Sequence, residues 1–186
     1  MSKIRLTKER EALVDAEDFE RLSKHHWFYN RGGYAVRTMR SHDVVPDQRF
    51  SWNWNKAKSR WETTIYMHRE VMNHPDDEID HKNHNGLDNQ KSNLRVSTSQ
   101  QNKRNRQKLK GCSSKYKGVC WHKGAKKWMA VITLGPRKSL YLGLHVAEDE
   151  AGRTYDIAAK EHFGEFAVLN FPDANFVNEP QMERTA

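Results

Sequence analysis

Residues 78–106 read EIDHKNHNGLDNQKSNLRVSTSQQNKRNR. The opening Glu78-Ile79-Asp80-His81 and the later run Ser92 to Thr98 alternate polar and apolar side chains, the period of a half-buried strand. Between them Lys82 to Gln90 is polar and reads as a loop. Ser99 to Lys108 follows as a helix with Ser99 as its cap. The predicted order is strand, long loop, strand, helix, which places Asp80 and His81 near the end of the first strand. Asn93 lies 13 residues after Asp80, and Asn102, inside the helix, lies 22 after it. Asn102, Asn105 and Arg106 stand at i, i+3 and i+4 and are expected to share one helix face.

These residue types in this order suit phosphodiester hydrolysis. A carboxylate and an amide carbonyl hold Mg²⁺ through two oxygens and leave it open to water and phosphate. A neutral His beside them can take a proton from water near pH 7. The ion can then stabilise charge on the phosphate and the leaving oxygen. A further amide would fix the imidazole or hold the loop. Asp-His pairs and Asn-rich loops also serve simply to build turns, and on the residues alone both readings stand.

Towards the N-terminus, Thr63 to Met67 alternates as a strand and His68 to Met72 reads as a short helix. Ile4 to Leu6 is a strand, and Ala16 to Lys24 a helix with Asp15 as N-cap, Glu17 and Asp18 at its positive end, and Phe19 and Leu22 on its packed face. Trp27 to Asn30 and Tyr34 to Thr38 flank Arg31-Gly32-Gly33 as a hairpin. Residues 41–60 show no period, include Pro46 and are expected to be a long loop. Trp52, Trp54 and Trp61 are expected to cover the core rather than touch a ligand.

The stretch MHREVMN at 67–73 together with residues 78–105 resembles the HNH endonucleases, in particular the homing-type branch with Asp-His first and Asn in place of the last His. The shared framework is DH…NG…DN…NLR…QN…N, over about 40 residues. The resemblance implies a ββα-metal fold with Asp80 and Asn102 as metal ligands, His81 as general base and Asn93 as the central loop-stabilising Asn, favoured over Asn89. The terminal Asn favours a hard ion, Mg²⁺ or Mn²⁺. Zinc-stabilised relatives carry Cys pairs that this chain lacks. His68 is expected to pack or touch phosphate, His84 to approach phosphate, and His74 to lie at the surface.

Charge draws attention to the next segment. The formal net charge is +8, residues 101–140 hold 12 Lys or Arg and no acid, and residues 141–186 net −6, leaving +2 for the first hundred. Tyr116, Trp121 and Trp128 interleave with the lysines, the footprint of a polyanion binder. Strands are expected at Ser114 to Val119, Lys127 to Ile132 and Tyr141 to Gly143, then a helix from Ala147 to Phe163 ended by Gly164. Ala147, Ala151, Tyr155, Ala158 and Ala159 give that helix a close-packing face. YKGV, KW, YLG, AxxxYDxAA and LNFP resemble the Apetala and ethylene-response-factor DNA-binding domain, over nearly all of 115–172. The resemblance implies a sheet entering the major groove of double-stranded DNA. The expected contact set is Lys117, Trp121, His122, Lys123, Lys127, Trp128, Arg137, Lys138 and Tyr141, with Arg106 ahead of it. Trp128 reads equally as core. Cys120, Trp121 and His122 stand where plant factors carry arginines, so their sequence preference does not transfer.

Composition removes other classes. No uncharged apolar run nears the ~18 residues of a membrane span, and MSKIRLTKER lacks the apolar centre of an export signal. Two cysteines cannot build a disulfide framework or a four-ligand zinc site, and 19 aromatics argue against full disorder. The expectation is an α+β, cytoplasmic, DNA-associated chain with no membrane and no protein partner implied: a ββα-metal module followed by a three-stranded antiparallel sheet packed on one helix. Residues 1–62 would support the nuclease core at 63–108, with a linker at 109–114, the DNA-binding domain at 115–172 and a tail at 173–186. The activity expected is site-directed, metal-dependent DNA cleavage. A non-catalytic DNA-binding regulator and an RNA- or structure-directed nuclease are the alternatives.

Overall fold

Lys8 and Glu9 both take left-handed φ, 61° and 56°, the pair of angles that closes a tight hairpin. Strand β1 (Ser2–Arg5) therefore folds back on β2 (Glu11–Val14), a partner the sequence did not announce. Helix α1 (Ala16–Ser23) follows and buries Asp18 and Leu22. Phe19, expected on that packed face, is exposed. The computed structural model describes residues 1–41, 50–106, 108, 111 and 113–172. It divides into two compact units with the boundary between Asn102 and Lys103.

In the first unit, β3 (Phe28–Tyr29) and β4 (Ala35–Arg40) form the expected hairpin. The expected loop at 41–60 is in part a second hairpin, β5 (Asn53–Asn55) with β6 (Arg60–Tyr66), and the four strands run in the order β3-β4-β6-β5. Pro46 lies outside the described residues. Helix α2 (Met67–Val71) leads to β7 (Glu78–His81), which pairs antiparallel with β8 (Leu94–Ser97). One core joins these pieces: Ile4, Val14, Leu22, Trp27, Met39, Ile65, Met67, Ile79 and Leu94 belong to a single buried cluster, with Trp52 packed on its rim. Trp27 donates its indole N–H to the Leu22 carbonyl at 2.8 Å, so its polar edge is satisfied where it is buried.

Helix α3 (Ser99–Arg104) is shorter than expected and starts from a different cap. Gln101 N–H donates to the Thr98 hydroxyl while the Gln101 side chain accepts from Thr98 N–H, a reciprocal capping box centred on Thr98 rather than Ser99. Because α3 ends at Arg104, Asn105 and Arg106 lie beyond it and do not extend the face of Asn102.

The second unit holds β9 (Val119–His122), β10 (Lys127–Gly135) and β11 (Lys138–His145), in the order β11-β10-β9, against α4 (Glu148–Phe163). The first strand starts at Val119, not Ser114. Gly118 has φ +74° and faces Tyr155 so closely that a Cβ would sit 1.9 Å from its ring, so only glycine fits between the preceding turns and the sheet. Asp156 is fully buried and accepts from the backbone N–H of Asn170 and Phe171 and from the Asn170 amide. That knot ties the Asn170-Phe171 segment to α4. The architecture is α+β, and no helix among the described residues is long and apolar enough to cross a membrane. Residues 109, 110 and 112 of the expected linker, Cys112 with them, and the tail at 173–186 lie outside the described residues.

Candidate functional site

Asp80 and Arg95 sit directly opposite each other across β7 and β8. Arg95 donates through Nε and Nη2 to Asp80 Oδ2 at 2.8 and 2.7 Å. Both side chains are nearly buried, 6% exposed for Asp80 and 11% for Arg95. Alternation sends Glu78 and Asp80 to one face of β7 and Ile79 and His81 to the other. Asn102 of α3 meets the first face, donating its amide to Glu78 Oε2 at 2.6 Å. His81 lies among aromatic rings on the other, 5.0 Å from the His68 centroid and 5.7 Å from that of Tyr34. Of the four expected nuclease residues, Asp80 meets Arg95 and Asn102 meets Glu78 on the α3 side of β7, whereas His81 lies on its core side and Asn93 in the loop before β8.

The loop between the strands is held from several directions. Asn93 Oδ1 accepts from Asn83 N–H at 3.0 Å, and Asn93 Nδ2 donates to the Asp88 carbonyl at 2.8 Å. The Leu13 N–H donates to the Leu87 carbonyl, and the Leu13 carbonyl accepts in return from Asn89 N–H. Asp15 makes no side-chain cap to α1. Its carboxylate accepts instead from Lys91 N–H and the Gln90 amide. Gly86 lies against Gly33 and Tyr34, with room for no Cβ. Asn89, buried to 1% exposure, places its amide beside the His81 imidazole. The holding of the loop and the flanking of the imidazole, weighed for one residue in the sequence, fall to two: Asn93 and Asn89.

Burial lowers the His81 pKa, opposed by the Asn89 amide and the Asp80 and Asp88 charges. The half-buried His68 is held down to about 3, by desolvation first and then by His81 and Arg69. Both imidazoles are therefore neutral at neutral pH, and a neutral imidazole can accept a proton. His84 is exposed, and His74 packs edge-on against Phe50 instead of standing clear at the surface.

Beside the Arg95 guanidinium that holds Asp80, the α3 face of β7 offers oxygen donors: the Asp80 and Glu78 carboxylates and the carbonyl of an Asn102 amide whose nitrogen is already turned to Glu78. That set fits a hard divalent ion. Among the described residues no three His, Cys, Asp or Glu are grouped as a fully protein-caged metal would need. Glu78 was missed in the sequence although its spacing, two before Asp80 on a strand, places it on the same face. Nothing in the sequence pointed to Tyr34, which arrives from a distant hairpin.

In the second unit the register of β9, β10 and β11 sorts the expected contacts. Lys127 pairs with His122, Met129 with Cys120 and Val131 with Tyr141. These lie on the face away from Ala130 and Ile132, which are buried towards α4. Thr133 and Ser139 join them and share a hydroxyl hydrogen bond at 3.0 Å. Tyr141 is 62% exposed. Trp121 and Trp128 fall on the helix side, stacked edge-on at 5.0 Å, with Trp128 packed on the Val119–Ala130–Ala151 cluster. Lys123 lies in the exposed β9–β10 turn, and Arg137 and Lys138 at the β10–β11 turn, Arg137 with φ 57°. Lys117 is engaged internally: its ammonium donates to the Arg104 and Arg106 carbonyls, each at 2.6 Å, and burial brings its pKa down to about 8. The Arg106 residue itself is exposed.

No family model matches the chain. Among curated proteins, the plant "Ethylene-responsive transcription factor WRI1" of Arabidopsis thaliana is 41% identical over 66 residues, 35% of this chain and 15% of that factor. "APETALA2-like protein 2" of Oryza sativa subsp. indica is 42% identical over 64 residues, again 15% of its length. These likenesses are confined to about a third of the chain. The "Uncharacterized HNH endonuclease L560" of Acanthamoeba polyphaga mimivirus is 30% identical over 159 residues, 86% of this chain and 74% of the relative. A likeness that runs along most of both proteins makes this chain a member of the HNH endonuclease family.

Proposed function

We propose that the chain is a metal-dependent endonuclease of double-stranded DNA, cutting with its first unit and gripping DNA with its second. The observation that carries this reading is β7, which ends in a buried Asp80-His81 pair and opens into a loop stapled by Asn93, with the Asn102 amide held at Glu78 on the same face as Asp80. Residues 63–108 act as the ββα nuclease core, 1–62 supply its support and 115–172 form the DNA-binding module. Asp80 and Asn102 would hold Mg²⁺ or Mn²⁺, which supplies charge stabilisation to the phosphate under attack. His81, kept neutral by burial, accepts the proton of the attacking water. Asn89 flanks the imidazole, Asn93 holds the loop, and Glu78 accepts from the Asn102 amide. In the second unit the open sheet face carries His122, Lys127 and Tyr141 towards DNA, with Lys123, Arg137, Lys138 and Arg106 suited to phosphate.

The Asp80–Arg95 ion pair favours one other reading, a DNA-binding regulator in which Asp80 has a permanent cationic partner. Incubating supercoiled plasmid with the full chain in Mg²⁺ and, in parallel, in EDTA separates the two. Nicked or linear product in Mg²⁺ alone is expected, whereas intact plasmid under both conditions would overturn cleavage of duplex DNA.

A further inference from the structure

The β5–β6 hairpin exposes two tryptophans that the core does not claim. Trp54 and Trp61 are paired across the strands, 49% and 46% exposed, with ring centroids 5.4 Å apart. Along β6 the same face carries Thr63 and Ile65, which are buried. The core-facing side of the sheet therefore runs on past its core and ends in two half-bare indoles. Monomeric proteins seldom leave neighbouring large aromatics in this state without a partner.

The charge around them says what kind of partner fits. The ten residues Asn53 to Glu62 hold Lys56, Lys58 and Arg60 against one acid, Glu62. Glu62 lies on the opposite face from Trp61 by strand alternation. Its carboxylate is already taken by Arg60 at 2.6 Å and by the Asn55 amide at 2.8 Å, with Lys58 3.8 Å away. Lys56 opens the exposed turn beyond Trp54. An apolar sheet edge on a hairpin whose ten residues net +2, with Lys56 in its turn, is complementary to duplex DNA. The indoles suit sugar edges and thymine methyls, and the ammonium groups suit phosphate.

We propose that the β5–β6 hairpin is a second DNA-contacting element, the outer end of the four-stranded sheet of the nuclease unit, whose Trp54–Trp61 edge lies against the duplex while Lys56 meets its backbone. The proposal rests on the DNA reading above but not on cleavage, so it is tested without metal. Binding of the full chain to a long fluorescently labelled duplex is titrated in EDTA at several salt concentrations, for wild type, Trp54→Ala/Trp61→Ala and Lys56→Glu. Affinity should fall roughly ten-fold in the double variant, the weight of one good aromatic or base contact. Lys56→Glu, at an exposed turn where folding is not at stake, should weaken binding and lower the salt slope by about one. Wild-type affinity and salt slope in Lys56→Glu, or in a double variant that melts like wild type, overturns the proposal. So does a double variant that changes only its oligomeric state in sedimentation, since that assigns the edge to self-association. Absence of plasmid cleavage by wild type would bear on the nuclease reading and leave this binding result standing.

Discussion

His68 and His81 stand ring to ring between Tyr34 and Tyr66, and the consequence of burying His68 is measurable in acid. Its folded pKa of about 3 lies below the ordinary value of 6.5. The unfolded chain therefore takes up a proton at His68 as pH falls through 6.5, and the folded chain does not until pH nears 3. Stability is whole above 6.5 and declines between 6.5 and 3, at a limiting slope of about 1.4 kcal/mol per pH unit. His68→Gln, which does not titrate, should flatten the fall of Tm between pH 6.5 and 4.5 in thermal melts. An unchanged slope would mean His68 is accessible to protons in the fold. At this scale the elements that carry Asp80, His81, Asn93 and Asn102 were legible, because their spacing matches a strand, a loop, a second strand and a helix. Arg95 and Glu78 followed from register and alternation once strands were assigned. Tyr34 and the Asn89–His81 contact depend on tertiary approach and left no periodic trace.

Elements were read best where period and caps agreed. Helix α4 was expected from Ala147 to Phe163 and runs from Glu148 to Phe163, because its small buried face and the positive φ of Gly164 both mark it. Misreadings share a cause: a local signal was overruled by a turn. Gly118 delays β9 to Val119, and the Lys56–Ser59 turn folds a stretch with no visible period into β5 and β6. Trp54 and Trp61, assigned to the core by their hydrophobicity, were then left outside it. Asp156 is the element-scale test of what holds the second unit. Asp156→Ala leaves the backbone N–H groups of Asn170 and Phe171 without their acceptor, so the unit should lose about 2 kcal/mol or more. Calorimetry on the full chain should show a lower transition for this unit with the other unmoved. A shift worth less than about 1 kcal/mol would show that Asn170 and Phe171 are held by something else.

For the whole molecule, charge is divided unevenly along the chain, and the proposed function puts the chemistry in the less charged part. The first hundred residues carry a net charge of only +2, whereas residues 101–140 carry +12. A loss of cleavage chemistry and a loss of DNA affinity should therefore be separable by single substitutions. His81 is the position to use, since it is buried, neutral and adjacent to Asp80, and it contributes nothing to the basic face. The decisive measurement is single-turnover cleavage in Mg²⁺ by wild type and His81→Ala at saturating protein, alongside duplex affinity for both in EDTA. The account predicts a cleavage rate lower by about 10²–10⁴-fold, the contribution of a general base, at unchanged affinity. A His81→Ala chain that cuts at the wild-type rate would contradict it.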